Sequence, residues 1–187
     1  MRVTETKFDG VKLLEPTRHA DPRGFISENF KDVDFKEATG LDPAFVQDNH
    51  TMSRRGALRG MHYQEGEKSQ GKLIAAVRGR IFHVFVDLRQ GSESFGAWMS
   101  TLLSEEVGAL LWVPGGLATG YLVLSERADV MCKMTARYEP KSEKCIRWDD
   151  PLIDIQWPDI GVAPTVSRRD QAGTVFLKIS RGLDGAV

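Results

Sequence analysis

Turn signals recur along this chain, and convincing helical periodicity between them is scarce. Asp21-Pro22-Arg23-Gly24, Arg55-Gly56, Gly79, Gln90-Gly91, Pro114-Gly115-Gly116 and Pro140 all punctuate it. Proline fixes φ and lacks an amide proton, and glycine reaches backbone conformations closed to other residues, so each cluster redirects the chain. Between the clusters lie strand-like runs at residues 72–78, 81–88, 110–113, 121–124, 130–135 and 145–148. Many short strands joined by Gly/Pro turns predict an all-β fold, a β-sandwich or jelly roll, with few helices.

The run 81–88 carries the clearest alternation. Phe82, Val84, Val86 and Leu88 fall on one side, and Ile81, His83, Phe85 and Asp87 on the other. The first set is expected to pack on one face of a sheet, and Ile81 and Phe85 imply that the second face is partly covered too. Runs 72–78 and 81–88 read as a hairpin turning at Arg78-Gly79-Arg80. Residues 33–39 suit a short helix with Asp32 as its cap. Ser104-Glu105-Glu106 starts a helical turn or forms a polar turn between strands. The polar stretch 166–170 is expected to pack back across the sheet, and Gly182 to Val187 to fray. The 187 residues show no internal repeat, low-complexity segment or linker, which predicts a single domain over 1–187.

Charge and composition exclude several classes. A formal net charge of −1 does not mark a nucleic-acid binder. No apolar run is long enough to span a bilayer, and Met1-Arg2-Val3-Thr4-Glu5-Thr6-Lys7 lacks the apolar core of a signal peptide. Cys132 and Cys145 show neither disulfide nor zinc spacing. A cytoplasmic protein with reduced thiols, without a membrane or nucleic-acid partner, is the expectation.

The chemistry concentrates in Leu58-Arg59-Gly60-Met61-His62-Tyr63-Gln64 and Gln70-Gly71-Lys72. Histidine exchanges protons near neutral pH, arginine suits phosphate or carboxylate, and lysine stabilises a developing oxyanion. Together they suggest removal of a proton from carbon next to a ketone, on an anionic substrate. A carboxylate behind the imidazole would fix its tautomer; Asp87, Asp149, Asp150 and Asp170 are all candidates. The four histidines, His19, His50, His62 and His83, form no His-x-His pair, so a metal-free site without cofactor is expected. Alternation alone does not say whether His83 reaches a cavity. Lys133 follows Cys132, but strand neighbours point to opposite faces, so Cys132 reads first as a buried structural cysteine. Gly115-Gly116 lies between strands and fits a turn, and no phosphate loop precedes a helix.

Several ordered motifs then coincide. Asp21-Pro22-Arg23-Gly24-Phe25, Phe45-Val46-Gln47-Asp48-Asn49-His50, the His62 and Lys72 segments, Phe95-Gly96-Ala97-Trp98, Leu111-Trp112-Val113-Pro114, Trp148-Asp149-Asp150-Pro151 and Ser167-Arg168-Arg169-Asp170 resemble the dTDP-4-dehydrorhamnose 3,5-epimerase family. The resemblance runs from about Val3 to Asp170. It implies a cupin-type jelly roll that forms a homodimer, needs no metal, and inverts carbons beside the ketone of a nucleotide-diphosphate 4-keto-6-deoxy sugar. Carried over by position, it makes His62 the base, Asp170 its carboxylate and Lys72 the lysine near the C4 oxygen. Arg23, Glu28, Gln47, Asn49 and Arg59 match substrate-binding positions, and Tyr138, Glu143 and Arg169 fall at further positions near the ligand. Some of these would come from the neighbouring protomer.

Two positions depart from the family pattern. Cys132 stands where the family usually has a tyrosine, the acid on the face opposite the histidine. Thr119 stands where it usually has a histidine; a threonine still donates one hydrogen bond but carries no charge. The expectation is therefore an isomerase selective for C3, or weak at C5. The other readings are full double epimerisation, a ketoisomerase that moves the carbonyl along the same ring, and a non-catalytic sugar-nucleotide binder.

Overall fold

The computed structural model describes residues 1–180; Gly182 to Val187 lie outside the described residues. The strands begin with β1 (Arg2–Glu5), β2 (Lys12–Glu15), β3 (Arg18–Asp21), β4 (Gly24–Ser27), β5 (Gln47–Arg54), β6 (Ala57–Gln64) and β7 (Lys72–Arg78). They continue with β8 (Arg80–Asp87), β9 (Trp98–Ser104), β10 (Leu110–Val113), β11 (Leu117–Val123), β12 (Arg127–Met134), β13 (Glu143–Cys145) and β14 (Thr165–Val166). Short helices are α1 (Asp32–Thr39), α2 (Arg168–Gln171) and α3 (Phe176–Ser180). The first sheet has the order β1-β2-β10-β7-β12-β5, and the second β13-β6-β11-β8-β9 with β14 also along β6. Strands β3 and β4 form a separate two-stranded ribbon. The two large sheets stack as a jelly roll, one of the all-β folds that the spacing of turns predicts, and of the cupin type that the resemblance implies.

The expected hairpin at Gly79 is not one. β7 pairs with β10 and β12, whereas β8 pairs with β11 and β9, so the chain crosses from one sheet to the other at this turn. Both strands are apolar on both faces, so each can occupy the middle of a sheet, and a glycine turn serves a crossing as well as a hairpin. Gly79 has φ +70°, and a Cβ there would lie 2.0 Å from the Arg127 carbonyl oxygen, so no other residue fits.

Three apolar layers hold the sheets. Ile81, Phe85, Leu111, Leu117 and Val130 lie in the core between the sheets. Met61, Val84, Val86, Ile146 and Ile153 cover the far face of the second sheet. Helix α1 covers the far face of the first sheet through Phe35, whose ring meets Trp112 edge-on at 5.6 Å. Both faces of β8 are thus buried, and the set holding Ile81 and Phe85 faces the central layer. Removing the Phe35 ring would cost about 3–5 kcal/mol.

At α1 the N-cap is Lys31, not Asp32. Asp32 is the first helical residue; its carboxylate accepts the Val33 amide at 2.8 Å and favours the positive end of the helix. Glu105 and Glu106 form a turn after β9 ends at Ser104. Residues 166–170 do pack back: β14 runs parallel to β6, and α2 follows it. No helix of the described residues is long and apolar enough to cross a membrane.

Candidate active site

Strand β6 presents His62 between two antiparallel neighbours, with Thr119 of β11 opposite it on one side and Cys145 of β13 on the other. Cross-strand partners project to the same face, so all three side chains gather at one place. Behind them α2 brings Asp170. Ser167 caps this turn by accepting the Asp170 amide at 3.1 Å. Asp170 Oδ1 lies 2.7 Å from His62 Nε2, and Oδ2 accepts the Gly60 backbone N–H at 3.2 Å. Burial raises the Asp170 pKa, but the His62 bond and charge, with the Gly60 and Ser167 contacts, outweigh it and hold the carboxyl below its usual range.

Of the four carboxylates open from sequence, Asp170 is the one bonded to His62. Asp87 binds Arg89, Ser92 and Ser94; Asp149 pairs with Arg147; Asp150 accepts the amides of Leu152, Ile153 and Phe176.

At Gly60 and Gly120, where the register of β6 against β11 shifts, the two backbones come too close for a side chain on either residue. A Cβ on Gly60 would lie 2.6 Å from the Gly120 Cα, and one on Gly120 would lie 2.7 Å from the Arg59 carbonyl oxygen. Gly60 also has φ +129°.

Lys72, at the start of β7 in the opposite sheet, reaches across. Its Nζ donates to Thr119 Oγ1 at 2.9 Å and to the His62 carbonyl oxygen at 3.1 Å. Burial drives its pKa down, and the Cys132 and Glu143 charges offset part of this. Asn49, Arg59, His62, Lys72, Thr119 and Cys132 line one cavity of about 240 Å³, together with His83, Tyr121 and Met134. Cys132 belongs to β12 of the first sheet, His62 to β6 of the second, so the two approach the cavity from opposite sheets. Burial pushes the Cys132 thiol up to about 11, against the opposing pull of Lys72. Lys133 turns away and pairs with Asp48 at 2.8 Å, as alternation predicts.

Other residues singled out from sequence fall in two places. Gln47 donates to Asn49 Oδ1 at 3.1 Å and accepts the Tyr138 amide at 2.7 Å. Arg169 is ion-paired with Glu143 and donates to the Tyr138 hydroxyl at 3.5 Å, one residue before Asp170. Arg59 donates from Nε to Ser53 at 2.9 Å. Arg23 and Glu28 are not in this cavity. Arg23 sits exposed at the turn of the β3–β4 ribbon, paired with Asp21, and Glu28 is exposed just beyond β4.

Two further neighbours of the site were not given a role from sequence. His83, for which alternation left the question open, does line the cavity, and Cys145 places its Sγ within 4.8 Å of ligand atoms of His62 and Asp170. Burial, then the Asp170 charge, pushes the Cys145 thiol up to about 12. Its pairing opposite His62 depends on the register of β13, which spacing alone does not fix.

A histidine–carboxylate pair and a buried lysine on one jelly-roll cavity are the equipment of proton transfer at carbon. The model of the dTDP-4-dehydrorhamnose 3,5-epimerase family matches residues 5–178, and the chain belongs to that family. The dTDP-4-dehydrorhamnose 3,5-epimerase of Pseudomonas aeruginosa is 44% identical over 176 residues, covering 94% of this chain and 96% of that protein. The Legionella pneumophila dTDP-6-deoxy-D-glucose-3,5-epimerase, solved with dTDP-4-keto-L-rhamnose, is 40% identical with a TM-score of 0.92, covering 97% of this chain and 96% of the other. A 3'-monoepimerase from Streptomyces bikiniensis, solved with dTDP-quinovose, is 34% identical with a TM-score of 0.91, covering 98% and 91%.

Proposed function

We propose that this protein epimerises a nucleotide-diphosphate 4-keto-6-deoxy sugar at C3, by removing the proton beside the C4 ketone. The observation that carries this reading is the His62–Asp170 pair, 2.7 Å apart and opening on the cavity that Lys72 also enters. Asp170 holds one imidazole nitrogen and supports the positive ring; the other nitrogen takes the carbon-bound proton. The C–H electron pair moves onto the C4 oxygen, where Lys72 stabilises the enolate. Thr119 and the His62 carbonyl hold the Lys72 ammonium in place. Inversion then requires a proton from the other face.

We read Cys132 as standing where the family usually has its tyrosine. A thiol held near 11 stays protonated at neutral pH, so it is a weak donor and shorter than a phenol. Water supplies the proton at the more open carbon. This favours C3 over C5; a relative named as a 3'-monoepimerase shows that such selectivity occurs on this fold.

Gln47, Asn49, Arg59, Tyr138, Glu143 and Arg169 would bind the nucleotide sugar. Arg23 and Glu28 would complete the site of a second copy: their ribbon also exposes Phe25 and Ile26, a surface suited to a homodimer contact.

The test is solvent deuterium exchange on dTDP-4-keto-6-deoxyglucose, followed by NMR. Exchange and inversion at C3 with slow exchange at C5 is the expected result. No exchange at either carbon would overturn the epimerase reading; equal exchange at both would overturn selectivity alone.

A further inference from the structure

His83 is an imidazole that the proton transfer above does not use. Strand alternation turns it, with Ile81 and Phe85, into the space between the sheets. It is 2% exposed and lines the cavity with His62, Lys72, Thr119 and Cys132. Opposite it on β11 stands Tyr121, and Thr119 stands opposite Phe85, so Thr119 and His83 are diagonal neighbours on one inward face. The hydrogen bonds of the site run through His62, Lys72, Thr119 and Asp170, and His83 Nδ1 is buried with no partner among the described residues.

A position flanked by Ile81 and Phe85 calls for an apolar side chain. An imidazole there leaves a buried polar atom unfilled, which is unfavourable unless something else occupies it. Burial, and then the Lys72 charge, pushes its pKa down to about 3, so the ring is neutral at pH 7. A neutral imidazole offers one donor and one acceptor and does not repel a nearby ammonium. The cavity of about 240 Å³ is smaller than the ~300–1,000 Å³ typical of a drug-sized ligand, so it holds a sugar ring rather than a whole nucleotide sugar.

We propose that His83 is a sugar-binding residue that hydrogen-bonds a hydroxyl or keto oxygen of the ring held in the cavity, directly or through one water. This rests on the reading of the cavity as a site for a 4-keto sugar nucleotide. His83 orients the ring against His62 and Lys72 and selects sugars that carry an oxygen at that point. As a neutral ring it does not deliver the second proton as an imidazolium.

The test uses the full chain with ¹⁵N-labelled histidine, His83 being assigned by the signals missing from His83→Phe. Addition of dTDP-4-keto-6-deoxyglucose should shift the His83 nitrogens, and dTDP alone should leave them in place. His83→Phe should raise the Kd of the sugar nucleotide about tenfold, with the Kd of dTDP unchanged, and His83→Asn, which keeps a donor and an acceptor, should recover most of the loss. If His83→Phe does not fold, the wild-type spectra, assigned through His83→Asn, carry the test. Unmoved His83 signals, equal shifts with dTDP, or equal weakening of both ligands would overturn the proposal. A shift with the sugar nucleotide but no deuterium exchange at either carbon supports His83 while refuting the epimerase reading.

Discussion

Asp170 holds His62 from behind and the strand of His62 at the same time: one carboxylate oxygen lies 2.7 Å from the imidazole, the other accepts the Gly60 amide. The carboxylate is therefore fixed relative to the backbone that carries the histidine. Ring orientation follows from that triangle and not from packing alone.

Substitutions in this pair separate removal of the base from its misorientation. His62→Ala is expected to abolish exchange at both carbons while the circular dichroism spectrum stays native. Asp170→Asn keeps the shape but loses the charge that supports the imidazolium, and exchange should fall by about 10²–10⁴-fold. Undiminished exchange in His62→Ala would mean that another group is the base.

Lys72→Met removes the ammonium and keeps most of the buried stem. Exchange at C3 should drop by about 10²–10³-fold, the range for losing one oxyanion donor, with dTDP affinity retained in titration calorimetry. A variant that lost dTDP binding and kept its exchange rate at saturation would place Lys72 in nucleotide binding instead.

Cys132→Tyr is expected to raise deuterium incorporation at C5 relative to C3, because a phenol reaches further than a thiol. Cys132→Ala should leave C3 exchange within about threefold, the loss expected for a weak donor that water replaces. No gain at C5 from the tyrosine would assign selectivity to other walls of the cavity.

His83 gives the acid stability a sign. Its folded pKa is about 3 against an ordinary 6.5, so between these values the unfolded chain binds a proton that the folded chain does not. Stability from this group is full above about pH 6.5 and falls as the pH drops towards 3, by up to ~1.4 kcal/mol per unit. Urea unfolding from pH 7 to 4 should show that slope in wild type and a shallower one in His83→Phe. Parallel curves would contradict a neutral buried imidazole.

Gly60→Ala should destabilise by at least about 2 kcal/mol, since its Cβ meets the backbone of Gly120 at 2.6 Å and its φ of +129° disfavours any side chain. The denaturant midpoint measures it; a shift below about 0.5 kcal/mol would show that β6 and β11 can part freely.

The sheet architecture was legible because turn residues and period-2 alternation are local signals, as in residues 81–88. The sheet crossing at Gly79 was not: a glycine turn between two strands apolar on both faces fits either a hairpin or a crossing, and which strand pairs with which is decided by distant partners. Asp170 was one of four equivalent carboxylates by spacing, and the motif resemblance singled it out; its place beside His62 depends on the parallel pairing of β14 with β6. His83 was visible on its strand, but the wall it faces is set by β7 and β12 in the other sheet. Arg23, at the turn of the β3–β4 ribbon, and Glu28, just beyond it, were chosen by motif and stand away from the cavity of their own chain, a separation that local sequence does not encode.

The bare contact between Gly60 and Gly120 also divides what can drift in this protein from what cannot. Two residues before His62, β6 lies against β11 with room for a side chain on neither glycine. Of the wall positions, Cys132 lies on β12 and His83 on β8, outside that contact, whereas Thr119 adjoins Gly120 on β11. Substitutions at Cys132 and His83 can thus change which sugar fits while leaving the glycine contact beside the base untouched.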